Sequence, residues 1–520
     1  MSRAVAVSLV AGLWAVFTAV LLWPGALSIT KHTGDALHMV AIVERMAQGQ
    51  VPHLDFVTPI GALAFWPIAV FVEAGAEVGA AFLRAQVLVG ALLGLLALYV
   101  AGRRVSWRAA AAFGAMVVIL AMALVHGEPD IAVSVSMHYN RWAWGLAFIV
   151  VLMACLPVER SGADGVILGA LMAALLLIKV TYFAALAPLV ILGLLLTGQR
   201  ATLALGLIVG LCIVAALTLV LGLGFWQAYL GDLLAVAGSD VRARPGVAFA
   251  EVLTGPAFLM GTGLSLAMVV VLRRAGFESE GILVLLLFGA GAYITYQNFG
   301  NDPKWFALFA FLLAAWAREA PRTGSARPAL IAASVALAAL IAPSFINMAV
   351  SPFRHAGIDR AAYMPALVGG TRHQDLYVSK FKGNRVRSDT PLGGVRGFEA
   401  PEPQPPIVFR GQTLADCRTD ATAGYFASIA ADLREAGLAQ GASVYMMDIL
   451  NPLWLYGDHR PLEGGTPWHY SGTPGFEDAE FVLLPHCALI VPVRNQIAES
   501  LQGAEMTEVA RTERFTLYAR

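Results

Sequence analysis

Residues 33–67 read TGDALHMVAIVERMAQGQVPHLDFVTPIGALAFWP, a stretch that sets two aspartates, Asp35 and Asp55, directly after the first apolar run of the chain. The rest of the chain avoids charge. Of its 520 residues 58% are hydrophobic and 13% charged, and the mean hydropathy is +0.69. Soluble globular domains carry about 25% charged residues, so this composition indicates an integral membrane protein, in which a polar, acid-bearing segment needs a reason. A net charge of zero, without a basic run or low-complexity tract, gives no support to a nucleic-acid partner.

A helix needs about 20 apolar residues to cross a bilayer. Such runs occur at roughly 5–27, 80–101, 108–126, 141–157, 164–180, 182–198, 202–223, 253–272, 281–297, 304–317 and 328–349, about eleven in all. The first is too long for a cleaved signal and shows no A-x-A site, so it is expected to be a retained span. Lys179, Thr181 and Tyr182 interrupt one long apolar stretch and predict two spans joined by a tight turn.

With the amino terminus cytoplasmic, Arg3, Arg103, Arg104, Arg108, Arg160, Arg200, Arg273, Arg274, Arg318, Arg322 and Arg327 all fall on the cytoplasmic side, as positively charged loops do. Counting residues 60–74 as a further span would reverse every later loop. They are therefore read as an interfacial or re-entrant helix. The opposite face collects the loops 29–79, 127–140, 224–252 and 298–303 and the tail.

The expected organisation is an α-helical polytopic membrane domain over 1–350, with an external first loop at 29–79, and a small soluble α/β domain over 351–520. The tail alternates a helical pattern, TAGYFASIAADLREAGLA, with strand-like runs such as ASVYMMDIL, EFVLLPHCALIVPV and RFTLYAR. The expected location is a bacterial inner membrane with the tail in the periplasm. Disulfides persist there, so a Cys417–Cys487 bridge fits, two unpaired buried cysteines being the alternative. Cys155 and Cys212 fall in spans and read as packing residues.

The order of features in the first loop carries a resemblance. Asp35 follows the first span, an amphipathic helix comes next, and then Gly49, Pro52, His53, Asp55, Phe56, Pro59 and Gly61, with Ala62 where a second proline is common. This closely resembles the first external loop of the GT-C superfamily, the multi-span glycosyltransferases that use polyprenyl-phosphate sugars, such as protein mannosyltransferases and aminoarabinose transferases. The likeness is most specific over roughly 34–67 and architectural elsewhere. It implies that Asp35 is the general base of an inverting transfer: it takes the proton of an acceptor hydroxyl that attacks the anomeric carbon as lipid phosphate leaves. The partners implied are a polyprenyl-phosphate sugar donor, the bilayer, and a glycan, glycolipid or protein acceptor. The resemblance names no cofactor, and a divalent cation on Asp35 and Asp55 stays open.

Each residue also has a plainer reading. Asp35 could cap its helix. Asp55 could orient the acceptor, bind a metal, or hold the turn before Pro59. For the leaving phosphate the candidates are Lys179, Arg141, Arg84, His138 and Lys304, with Arg242 and Arg244 further along; a lone outer arginine is more often a headgroup anchor. Lys179 stands out because it lies within an apolar run, and Arg141 because His138, Tyr139 and Asn140 precede it. Guanidinium grips phosphate bidentately and ammonium acts as a point charge, so the two could serve together. Tyr139, Asn140, Gln297, Asn298, Asn301 and Asp302 offer hydroxyl-binding groups for a sugar, against an ordinary Asn/Gly/Asp/Pro turn at 298–303. Glu128 and Asp130 are loop acids or a second acidic pair.

No nucleotide-binding or zinc-protease signature is present. The rival classes are a transporter or flippase of lipid-linked substrate, a polysaccharide polymerase or ligase, and a non-enzymatic assembly component. Against a transporter stand the lack of an internal repeat and the large external tail.

Overall fold

The computed structural model describes residues 2–128, 130–158, 162–239, 248–298, 302–370, 372–383, 386–388, 407–420 and 422–520. Each apolar run of the sequence is helical: α1 (Ser2–Leu22), α4 (Val78–Ala101), α5 (Trp107–Met122), α6 (His138–Cys155), α7 (Gly162–Ile178), α8 (Val180–Leu196), α9 (Arg200–Leu221), α12 (Pro256–Arg274), α13 (Glu278–Gln297), α14 (Trp305–Glu319) and α15 (Ala326–Ala356). Five of them, α1, α4, α9, α13 and α15, are long and apolar enough to cross a membrane, and α5, α7 and α8 are shorter apolar helices.

Small residues let these helices close on one another. On α7, Gly165 and Gly169 face Gly206 and its neighbours on α9, and a Cβ at Gly169 would stand 2.4 Å from the Gly206 carbonyl oxygen. Close backbone approach of this kind is how helices associate where burial from water gives little drive. Lys179 is the whole link between α7 and α8. Its backbone is extended (φ −159°, ψ 107°), and helical bonding resumes as Tyr182 N–H donates to Lys179 O at 3.0 Å.

The loop after α4 meets Asp164 at the start of α7. Arg103 and Arg104 pair with its two carboxylate oxygens at 2.8 and 2.7 Å, and Arg104 also donates to Leu156 O after α6. Arg160 lies outside the described residues. The first loop precedes α4: α2 (Thr33–Ala47), then a turn, then α3 (Trp66–Glu73). Eight helical residues span about 12 Å, well short of a bilayer. Further along are α10 (Leu223–Ala237) and α11 (Phe249–Thr254). Asp232 of α10 accepts from His53 Nδ1 at 2.8 Å and from Thr58 N–H at 3.1 Å, which fastens the first loop to it.

The tail grips that loop through its backbone. β1 (Leu27–Ile29) runs parallel to β3 (Leu376–Ser379), which pairs antiparallel with β2 (Tyr363–Pro365). Asp375 accepts from Gly79 and Ala80 N–H at 2.9 and 2.6 Å and so satisfies the exposed first turn of α4. Buried Glu44 of α2 accepts from Arg372 and from His373 Nε2, the latter at 2.8 Å. After α16 (Lys380–Gly383), β4 (Val386–Ser388) pairs with β7 (Cys417–Thr419), and β5 (Val408–Phe409) with β6 (Gln412–Thr413). The main tail sheet has the order β10–β11–β9–β8, formed by Thr507–Arg511, Phe515–Ala519, Phe481–Pro485 and Val444–Met446, with α17 (Thr422–Glu435) and α18 (Val491–Ser500) beside it. Cys417 and Cys487 are joined by a disulfide.

Candidate active site

Asp35 lies in the first turn of α2, whose cap position is His32, in the left-handed region (φ 62°). Its carboxylate does not take the cap position. It turns to the segment before α6 and accepts a hydrogen bond from Ser136 Oγ. Asp35 lines a cleft of about 280 Å³ that the first loop, the start of α6 and the tail enclose together. The first loop supplies His38, Met39, Ile60 and Phe65. Val135, Met137, His138 and Tyr139 come from the α6 side, and Ile449, Trp468 and Tyr470 come from the tail.

Tyr139 connects this cleft to a cation. The Lys179 ammonium stands 5.5 Å from the Tyr139 ring centre, donates to Asn140 Oδ1 at 3.1 Å and also donates to Asn298 Oδ1. Asn140 Nδ2 donates to Asn298 Oδ1 at 3.1 Å, and Asn298 Nδ2 returns to Ile294 O at the end of α13. The one-residue break between α7 and α8 therefore puts an ammonium among amides from α6 and α13. Gly61 N–H donates to Ile178 O, 3.2 Å away and next to Lys179, so the first loop touches this group through its backbone.

The remaining candidates stand elsewhere. Arg141 is buried, at 1% exposure, and none of its guanidinium nitrogens has a hydrogen-bond partner among the described residues. The His126 ring meets that of His32 edge-on, with centres 5.1 Å apart. Lys304 pairs with Asp302 at 3.0 Å, Asp302 also accepts from Ser344 Oγ, and its N–H donates to Glu128 Oε1 at 3.1 Å. Lys304 and Asp302 thus satisfy each other and brace the 123–137 loop. His138 bonds Ala64 O at 2.8 Å through Nε2, which must be the protonated nitrogen because a carbonyl only accepts. Arg84 is exposed on α4, and Gln297 is half-buried at the end of α13. Asp55 is exposed and accepts from Val51 N–H at 2.6 Å, so its carboxylate holds the turn before Pro59 and lies outside the cleft. Asn301, Arg242 and Arg244 lie outside the described residues. No cluster of three His, Cys, Asp or Glu side chains suited to a metal occurs among the described residues.

Sequence reasoning missed Ser136, His38, Trp468 and Tyr470. Ser136 carries a faint signal, a serine two residues before His138. The tail aromatics carry none, because they meet Asp35 only through the fold.

No family model and no curated protein sequence matches this chain. Two crystal structures are similar to it over 99% of this chain and 97% of theirs, at 14% sequence identity: ArnT from Cupriavidus metallidurans in the apo state, TM-score 0.39, and ArnT from Cupriavidus metallidurans bound to undecaprenyl phosphate, TM-score 0.42.

Proposed function

We propose that this chain is an inverting glycosyltransferase that moves a sugar from a polyprenyl-phosphate donor to a hydroxyl of a cell-envelope acceptor, with Asp35 as general base. The observation that carries the reading is the cleft itself: the half-buried Asp35 lines it together with Tyr139 and the tail aromatics Trp468 and Tyr470, and the Lys179 ammonium stands 5.5 Å from the centre of the Tyr139 ring. The membrane supplies the lipid, and the loop-bearing end is read as periplasmic, with the amino terminus and the arginine-rich loops in the cytoplasm.

In this reading the acceptor O–H lies against the Asp35 carboxylate. As its oxygen bonds to the anomeric carbon, the proton passes to Asp35, the bond from that carbon to the phosphate oxygen breaks on the opposite face, and polyprenyl phosphate leaves with the electron pair. Lys179 stabilises the charge that develops on the phosphate, a role an ammonium fills as a point charge. Asn140 and Asn298 hold Lys179 and offer amides to sugar hydroxyls.

The test is transfer by the purified protein in lipid nanodiscs, with a panel of undecaprenyl-phosphate pentoses and hexoses as donors and bacterial envelope extract as acceptor. Asp35→Asn should keep its thermal unfolding midpoint and lose transfer by about 10²-fold or more. Transfer near the wild-type rate in this variant removes the base assignment. Flux of donor across proteoliposomes without a glycosidic product would favour a transporter instead.

A further inference from the structure

The segment DIAVSVSMHYN, residues 130–140, alternates serine and valine before α6 begins. In an extended chain residues two apart share a face. Ser134 and Ser136 thus share one side, with Val133 and Val135 on the other, and all four are buried. The backbone pins the segment on both flanks. Ser134 N–H donates to Leu124 O at 2.8 Å beyond α5, while Val133 O accepts from Thr30 and Lys31 N–H at 2.8 and 3.3 Å in the first loop.

From this brace Ser136 Oγ donates to Asp35 Oδ2. Ser136 N–H donates in turn to Ser134 Oγ at 3.1 Å, and that oxygen is 2.9 Å from His32 Nδ1. His32 is the cap residue of α2 and Asp35 lies in its first turn. The bonds therefore close a ring, from His32 through Ser134 and Ser136 to Asp35 and back along one helical turn. A serine hydroxyl has a single proton, and here it is committed to the carboxylate.

We infer that Ser136 is the positioning residue of Asp35, fixing the rotation of its carboxylate toward the cleft, and that Ser134 and His32 hold Ser136 in turn. This rests on the reading of Asp35 as base. A hydroxyl that donates to the ionised carboxylate stabilises that form and sets the angle at which the base meets the acceptor proton, without touching substrate itself. The titratable groups that share the cleft with Asp35 are His38 from its own helix, His138 and Tyr139 from α6, and Tyr470 from the tail. Ser136 also directly precedes Met137, the left-handed residue (φ 49°) that caps α6. The segment that orients the base thus also fixes the start of the helix carrying Tyr139 and Asn140.

The experiment pairs kinetics with a readout that needs no substrate: infrared difference titration of the Asp35 carboxyl, referenced to Asp35→Asn, in nanodiscs. In Ser136→Ala the Asp35 midpoint should rise by about one pH unit, kcat should fall about tenfold with KM within about twofold, and the acid limb of the pH profile should move up with the midpoint. Ser136→Thr, which keeps the hydroxyl, should restore both. Ser134→Ala should give a smaller change in the same direction, and decides the matter if Ser136→Ala does not fold. A midpoint and kcat at wild-type values in these alanine variants overturn the inference and leave Asp35 as base. Transfer surviving in Asp35→Asn removes the base reading instead, while the titration still decides whether Ser136 holds the carboxylate.

Discussion

Gly61→Ala probes the join between the first loop and Lys179. Gly61 has an ordinary extended backbone (φ −64°, ψ 149°), so alanine costs nothing in conformation. The obstacle is contact: a Cβ there would stand 2.0 Å from the Leu177 carbonyl oxygen and 2.4 Å from its carbon. These are backbone atoms in the last turn of α7 and cannot swing away as a side-chain tip could. Relieving the overlap needs a separation of at least about 1 Å more, which weakens the Gly61 N–H to Ile178 O bond and moves the break that carries Lys179. Overpacking of this kind costs about 1–3 kcal/mol and the lost bond about 1 kcal/mol. A shift near 1 Å in a positioning group is worth up to about 10²-fold in rate. Thermal unfolding should therefore show a modest drop, and transfer a fall in kcat much larger than the stability loss explains. Gly12→Ala, where a Cβ meets nothing within 4 Å, serves as the control and should match wild type. A Gly61→Ala protein with wild-type kcat would refute the idea that the loop positions Lys179.

Two further outcomes concern the tail. Cys487→Ser opens a crosslink across 70 residues and should destabilise the tail by about 4 kcal/mol, read as an earlier melting or proteolysis transition under oxidising conditions that wild type reaches only with reductant. Asp448 is buried and pushed up to about 6 by desolvation, against hydrogen bonds from the Leu489, Ile449 and Ile490 N–H groups. Because its folded value lies above the unfolded one, it binds its proton more tightly in the native tail. Its contribution is full below about pH 4 and is lost as pH rises through 6, about 2–3 kcal/mol in all. Hydrogen exchange of the tail between pH 4 and 7.5 should show that loss in wild type and a flatter slope in Asp448→Asn; equal slopes refute the assignment.

The apolar runs were legible because a bilayer demands length and hydrophobicity from each helix by itself, which a sequence states locally. For residues 60–74 the arginine pattern asks for a stretch that does not cross, and α3 within it is eight residues long. Lys179 stood out for a similar reason, a charge within an apolar run, and it lies at the break between two helices. The site was harder, because neighbours in sequence point to different neighbours in space. Asn140 bonds Lys179, whereas Arg141, one residue on, is buried without a hydrogen-bond partner among the described residues. Asp55 resembled Asp35 in type and setting, yet the turn from Val51 to Asp55 claims its carboxylate. Trp468 and Tyr470 lie more than 400 residues from Asp35, and no local pattern reports such a contact.

The parallel pairing of Leu27–Ile29 with Leu376–Ser379 has a consequence for synthesis. At about 5–20 residues per second, the first strand waits roughly 20 to 70 s for its partner to be made. Every membrane helix is in place before the sheet can close. During that interval the acidic loop stands open, with neither the aromatic roof nor the Glu44–His373 clasp formed. On the proposed reading of Asp35 as base, the site closes only after the tail is made, and a chain whose translation stalls near residue 350 would hold its helices without the strand, the clasp and the aromatic side chains that complete the cleft.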